Sequence, residues 1–392
     1  MYDNGIKLDY YNLILGKDTI EKVDETIGEN NNIHIVLSID DIYVQHLSSL
    51  MASILLNTNC KSNINFHILD GGISKKSKEK LLKLKYIKNF SIFFYDMARY
   101  DFSLFPLNRE NISIATYYRL LIIDILPKEV DRIIYLDADM IVETDISKLW
   151  NVNLDNRLIA SVKDEYSIKN SKRLRLSAIG KYFNAGVLLI DLNKLRKTNF
   201  FDECVKCYKE NRKIIKLQDQ DILNIIFDGK CKLLELNWNV NSRIYLGHYD
   251  KPSYSDTERY DAAHNPYIIH YTGKLKPWTK GCCHPLREEY FKYLKKTPFK
   301  SFCYKHSINK ILSIINNFIY SKYDKDDKCI IVIFGIKITI KPIRIQLEKL
   351  NKKTEKIYYL NYKLYKELYK INNKNIKKNK SNSYNSEGNK NV

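Results

Sequence analysis

Nowhere in this 392-residue chain does an apolar run approach the ~20 residues that a membrane-spanning helix needs; the most apolar stretch, Ile330 to Ile336, is far shorter. The opening residues, MYDNGIKLDYYNLILGK, lack a basic start followed by a continuous apolar segment, so neither a signal peptide nor a transit sequence is expected. Cysteine occurs eight times but builds no framework: Cys204 and Cys207 form a lone C-x-x-C, and Cys282, Cys283 and His284 are adjacent rather than spaced for a tetrahedral site. Reduced thiols, buried or at the surface, are the expectation, in a cytoplasmic protein that at most rests on the inner face of the membrane. Negative charge is also in deficit, with 45 Asp+Glu against 65 Lys+Arg and a formal charge of +20. The deficit is local: residues 301–392 hold 20 Lys+Arg against 7 Asp+Glu, net +13, which leaves +7 for the first 300. Such a tail suits peripheral contact with an anionic membrane, and an acidic glycan or nucleic acid equally by charge. The basic residues are concentrated there, not interleaved with aromatics across a folded face, so no specific nucleic acid is expected.

What is present points to an α/β sheet. Single cores stop growing near ~250–300 residues, so this length predicts one catalytic domain with an appendage. Residues 1–32 are polar and end in Glu29-Asn30-Asn31-Asn32, a leader by composition. The domain, 33–300, opens on the β-branched run Ile33 to Ile39, broken by Asp40 and Asp41 before a helix-period stretch through Leu47, Leu50 and Ile54. A second strand (65–69), the turn Asp70-Gly71-Gly72, the helical SKKSKEKLLKLK and a third strand (90–94) repeat the alternation. In parallel sheets of this kind ligands bind beyond the carboxyl ends of strands, so Asp40 and the acids after the strand Arg132 to Leu136 should share one crevice. Within 301–392 the character changes: an amphipathic helix through Ile308, Ile311, Ile315 and Phe318, a charged turn over Asp324 to Lys328, and a hairpin in CIIVIFGIKITIKP. Beyond Pro342, apolar residues recur every seventh position at Ile343, Leu350, Ile357, Leu364 and Ile371, a heptad-like helix, before a polar end. The prediction for 301–392 is thus a basic, largely helical extension.

Asp137-Ala138-Asp139 directly follows the strand RIIYL, and residues two apart in extended chain point to one side. Two facing carboxylates need a cation, and hard oxygen ligands suit Mg2+ or Mn2+; an ion there could bridge a diphosphate. An Asp-x-Asp alone also serves as a turn or a helix cap. His270 to Trp278, HYTGKLKPW, adds an imidazole that could complete an Asp/Asp/His set, a glycine for close approach to phosphate, and Lys276 as a point charge. Gln218-Asp219-Gln220-Asp221 and Asn184-Ala185-Gly186 match either helix caps or the donors and acceptors that hexose hydroxyls require.

Taken in order, IHIVLSIDD, FHILDGGIS, FPLNRENISIATYYRL, RIIYLDADMIVETDISKLW, YFNAGVLLIDL, LQDQDILN and HYTGKLKPW resemble retaining glycosyltransferase family 8, which includes lipopolysaccharide and lipooligosaccharide galactosyl- and glucosyltransferases. The resemblance spans about Ile33 to Tyr290. It implies a GT-A fold, a Rossmann-like mixed sheet flanked by helices, and an enzyme that moves a hexose from a UDP-sugar to a glycan or glycolipid acceptor with Mn2+ (or Mg2+). It assigns the metal to Asp137, Asp139 and His270, the uracil to Asp40, a nucleotide contact to Ile112, and the diphosphate to Gly273 and Lys276. Arg119, Asn184, Asp219 and Gln220 match positions around the transferred sugar, with Gln220 as a positioning residue and Asp221 as a candidate nucleophile. Where relatives often carry Asn, this chain has Ile42, which cannot hydrogen-bond a ribose through its side chain. A rival, an aspartate-nucleophile phosphatase, usually has Thr or Val two residues after the second Asp; Ile141 stands there, and HYTGKLKPW would have no role.

Overall fold

The computed structural model describes residues 20–22, 32–59, 61, 63–105, 107, 113–246, 253–300, 320–325, 328–333 and 336–340. The chain divides into two compact units, Met1–Phe302 and Cys303–Val392.

In the first unit, β1 (Ile20–Lys22), β2 (Asn32–Ile39), β3 (Asn63–Asp70), β4 (Ser91–Asp96), β5 (Arg132–Leu136), β6 (Met140–Val142), β7 (Ile159–Lys163), β8 (Phe183–Asp191), β9 (Cys231–Leu234), β10 (Val240–Asn241) and β11 (Ile268–His270) form two sheets. The larger has the order β1-β4-β3-β2-β5-β8-β7-β9. Neighbours among β4, β3, β2 and β5 are parallel, as are β7 and β9, whereas β8 runs antiparallel to both β5 and β7. The sheet is therefore mixed. The polar leader contributes β1, an antiparallel edge on β4.

Alternation along the strands sends side chains to two cores. On β2, Ile33, Ile35, Leu37 and Ile39 join the core under the helix Val44–Asn57, while Val36 joins the core on the opposite face with Ile133 and Tyr135 of β5. Each such aliphatic side chain, wholly removed from water, stabilises the fold by about 1.5–3 kcal/mol. The helix Val44–Asn57 buries Leu47, Leu50 and Ile54, the spacing that predicted it. Cys204 and Cys207 lie buried on the helix Phe200–Asn211, and burial pushes the Cys207 thiol up to about 12, which keeps it an inert, protonated core residue.

Two irregularities position the site. Between the pairs Ser161 with Leu188 and Lys163 with Phe183 the β7–β8 register shifts, so Asn184 to Gly186 form a bulge at the start of β8. A second, three-stranded sheet of order β10-β11-β6 then sets His270 opposite Met140, one residue after Asp139.

In the second unit β12 (Tyr320–Lys325), β13 (Lys328–Ile333) and β14 (Ile336–Ile340) make an antiparallel sheet. The expected hairpin is β13–β14. The charged turn is shorter than the sequence suggests: Asp324 and Lys325 belong to β12 and pair with Cys329 and Lys328. What is described of the extension is sheet; the amphipathic helix, the heptad-like helix and the polar end fall outside the described residues. Among the described residues no helix is long and apolar enough to cross a membrane.

Candidate active site

β2 and β5 are parallel neighbours, so the residues that follow them, Asp40 and Asp137, emerge at the same edge. Because β8 runs the other way, its beginning lies at that edge too, and the bulge turns Asn184 toward it. A cavity of about 590 Å3 opens there, lined by Asp40, Arg119, Asp137, Asp139, Asn184, Asp219, Gln220, His270, Gly273 and Lys276 among others. The sequence-predicted set is thus brought together from across 237 positions of chain, with two exceptions: Asp221, treated below, and Ile112, which lies outside the described residues.

At one wall Asp137, Asp139 and His270 offer ligand atoms that all lie within 4.8 Å of one another. His270 Nε2 is 3.2 Å from Asp139 Oδ1 and 3.7 Å from Asp137 Oδ2. Backbone pairing sets this spacing: the Tyr271 N–H donates to the Asp139 carbonyl at 2.9 Å and the Asp137 N–H to the Gly186 carbonyl at 2.9 Å. Gly186 is required by crowding, since a Cβ there would stand 2.6 Å from His270 Cε1 and 2.9 Å from Asp137 Oδ2. Two cations already attend the carboxylates. Lys276 Nζ bonds Asp139 and donates to the Tyr271 carbonyl at 2.5 Å. Burial opposes ionisation of Asp139, yet the charges of Lys276 and His270 hold its carboxyl well below the usual range.

Arg119 is the second cation. Buried over the ring of Tyr135, it donates to Asp137 Oδ1 at 2.7 Å and to the Ala185 carbonyl at 2.6 Å, and pairs with Asp219 Oδ2 at 3.1 Å. It clamps Asp137 to Asp219, whose other oxygen accepts from Thr116 Oγ1. Burial pushes Asp219 up to about 6 against the pull of Arg119. Gln220 is fixed by the bulge: its Oε1 accepts the Ala185 N–H at 3.1 Å and its Nε2 donates to Tyr182 Oη at 3.0 Å.

Asp221 is placed elsewhere. It is 0% exposed and turned into the core, where both oxygens take Arg173 at 2.7 and 2.8 Å, with Tyr182 Oη at 2.7 Å and the N–H groups of Lys216 and Leu217 at 2.7 and 2.9 Å. A carboxylate so saturated holds the loop before its helix, and it lies outside the lining of the cavity where the sequence places a candidate nucleophile. Gln218, just before it, takes φ 50°, the left-handed region, to start this helix.

Asp40 follows β2 directly and accepts the N–H groups of Ile42 and Tyr43 at 3.1 and 3.3 Å. The backbone donor of Ile42 is thereby spent, and its side chain stands 70% exposed. Gly273 adopts φ 87° with nothing within 4 Å of where a Cβ would stand, so the backbone beside it is open to a ligand. The Gly273 to Trp278 loop is anchored by Trp278, stacked on the buried ring of His46 at 3.5 Å.

Several lining residues escaped the sequence reading. Asp164 and Glu165 follow β7 just as Asp40 follows β2, and the same strand-end rule applied there would have found them. Burial raises both carboxyls. Asn241 also lines the cavity, and Asn239 lies buried two residues before it in LNWNVN, where only the alternation of buried amides with apolar residues hints at a role.

The family model described as Glycosyl transferase family 8 matches residues 34–282. General stress protein A of Bacillus subtilis is 31% identical over 275 residues, 69% of this chain and 95% of that protein. Lipopolysaccharide 1,2-glucosyltransferase of Escherichia coli K12 is 27% identical over 277 residues, 70% of this chain and 81% of that one. Among solved structures, galactosyltransferase LgtC in complex with donor and acceptor sugar analogs matches with a TM-score of 0.61 at 26% identity, over 71% of this chain and 100% of that one. The mixed sheet, the strand-end carboxylates and a family match over more than half of its length agree: this chain is a glycosyltransferase and belongs to glycosyl transferase family 8.

Proposed function

We propose that this glycosyltransferase moves a hexose, galactose or glucose, from a UDP-sugar to a glycan or glycolipid acceptor of lipopolysaccharide, lipooligosaccharide or a related surface glycan, with retention at the anomeric carbon. The observation that carries the reading is the convergence of Asp137, Asp139 and His270 within 4.8 Å beside Lys276 in the cavity. Two carboxylates and one imidazole fit Mn2+, and Mg2+ less closely because of the nitrogen ligand. When bound, such an ion supplies positive charge for the diphosphate as it departs.

The chain's own residues divide the remaining tasks. Asp40 meets the uracil, Ile112, outside the described residues, keeps the nucleotide contact that its place in the sequence assigns it, and Gly273 and Lys276 receive the diphosphate, where the ammonium can turn from Asp139 to phosphate oxygens. Arg119 keeps Asp137 and Asp219 in register, and Asn184, Asp219 and Gln220 meet the sugar hydroxyls. With Asp221 committed to Arg173, attack from the leaving-group side is favoured: the acceptor oxygen bonds to the anomeric carbon, the bond to the diphosphate oxygen breaks with its electron pair on UDP, and the hydroxyl proton passes to that diphosphate. Gln220, a neutral amide, positions the sugar and forms no bond to it.

The test is release of UDP from a panel of UDP-sugars by the purified chain with Mn2+, beside Asp139→Asn. Turnover of one UDP-hexose, with a loss of about 100-fold or more in the variant, is expected. No turnover of any UDP-hexose with glycan acceptors present would sink the proposed donor.

A further inference from the structure

One buried amide links the two halves of this cavity. Asn239, 1% exposed, closes the 3-10 turn Leu236–Asn239 just before β10. The parallel pairing of β10 with β11 sets the next residues, Val240 and Asn241, beside Ile269 and His270. Its side chain lies between His270 Nδ1, 2.8 Å from its Oδ1, and Asn184 Oδ1, 2.9 Å from its Nδ2.

The direction of every proton in this chain follows from one group that cannot be reversed. The Gly186 N–H donates to Asn184 Oδ1 at 3.0 Å, and a backbone N–H can only donate. The Asn184 atom facing Asn239 is therefore its carbonyl oxygen, so Asn239 must present its NH2 to it. Its own oxygen then faces His270, and Nδ1 must carry the hydrogen. With the hydrogen fixed on Nδ1, Nε2 is the nitrogen whose lone pair would be available to a bound ion, between Asp137 and Asp139. The Asn184 NH2 remains for Asp164, whose carboxyl Asn184 pulls down against the rise that burial causes.

We infer that Asn239 is a positioning residue that fixes the His270 tautomer and ties the metal-side imidazole to the sugar-side amide of Asn184, so that divalent-ion affinity and donor-sugar recognition are coupled through it. The coupling rests on the proposed role of Asp137, Asp139 and His270 in holding the ion; the tautomer does not.

Two variants separate the arms. Asn239→Leu removes both bonds. Asn239→Asp keeps an acceptor for the His270 Nδ1–H but sets a carboxylate oxygen against Asn184 Oδ1. Nitrogen-15 chemical shifts of the His270 ring in the full chain should show a hydrogen on Nδ1 in the parent and in Asn239→Asp, whether or not Nε2 also carries one beside the carboxylates, and a loss of that fixed Nδ1–H in Asn239→Leu. Electron paramagnetic resonance titration with Mn2+ should show affinity falling about 10–100-fold in Asn239→Leu and held in Asn239→Asp. In Asn239→Asp the loss should appear instead in KM for the UDP-sugar, with UDP affinity unchanged. An Nε2–H tautomer in the parent, or Mn2+ affinity in folded Asn239→Leu within twofold of the parent, would overturn the inference. A parent that shows the Nδ1–H tautomer yet binds no Mn2+ would instead overturn the metal reading and the coupling built on it.

Discussion

Replacing Gly186 by alanine adds one methyl group at the most crowded point of the site. Its Cβ would lie 2.6 Å from His270 Cε1, 2.8 Å from Met140 Cε and 2.9 Å from Asp137 Oδ2. Carbon atoms rest about 3.5–4.0 Å apart, so the imidazole must retreat by about 1 Å. The Met140 methyl ends a flexible side chain and can swing away. The His270 ring cannot: it is 3% exposed, bonded to Asn239, and carried by a strand paired on both sides. Nor does the backbone conformation forbid alanine, since Gly186 is not among the glycines with positive φ. Overpacking of this kind costs about 1–3 kcal/mol of stability. A displacement of about 1 Å at a reacting centre costs about 100-fold in rate. Gly186→Ala should therefore lose Mn2+ affinity and UDP release together, each by about 10–100-fold, while remaining folded at 25 °C. Gly229→Ala is the control, because its φ of 67° strains an alanine at a site whose nearest atom, Ala178 Cβ, is 3.5 Å away and which is not part of the cavity lining. It should cost about 1–2 kcal/mol in urea melts and leave the kinetics alone. Gly186→Ala with parental Mn2+ affinity and turnover would refute the claim that crowding at β8 sets the position of His270.

Removing the Asp221 carboxylate as Asp221→Ala should destabilise the fold by about 3–5 kcal/mol, because Arg173 loses its partner, while the folded fraction keeps activity within about tenfold; parental melting with activity down ~1,000-fold would restore Asp221 as nucleophile. Stability should also fall in acid. Burial pushes His34 down to about 4 and His46 and His284 to about 3, and holds His67 well below its ordinary value, so this stability is complete above about pH 6.5 and lost as pH falls toward 4 and 3. At pH 5 His34, His46 and His284 each cost about 2 kcal/mol relative to pH 7.5, His67 acts in the same direction, and Asp219, pushed up to about 6, returns about 1 kcal/mol. Urea midpoints that do not change between pH 7.5 and 5 would refute these burials.

What the sequence could disclose of this site depended on which end of a strand each residue follows. Asp40, Asp137 and Asp164 come directly after β2, β5 and β7, strands that point the same way, and a rule that looks for acids beyond parallel strands reaches all three. His270 was legible only with its motif, because its place beside Asp139 is made by pairing β11 to β6 across 130 residues. The stretch Gln218 to Asp221 misled for a local reason. Successive residues of a helix turn by about 100°, so Gln220 can face the cavity only if Asp221 faces away, toward Arg173 and Tyr182. The contribution of β8 was hidden more deeply. This strand is antiparallel, so its first residues and not its last reach the cavity, and a bulge turns them inward. Nothing in FNAGVLLID signals either the reversal or the bulge except Gly186, and the glycine becomes informative only once His270 is known to lie against it. The N–H groups of Ala185 and Gly186 then orient Gln220 and Asn184, and through Asn184 the amide of Asn239. The wall of the cavity that holds Asn184 and Gln220 is therefore set by backbone, not by an acidic motif. Substitutions that change the shape of β8 should thus disturb donor recognition more than exchanges of the polar side chains it holds.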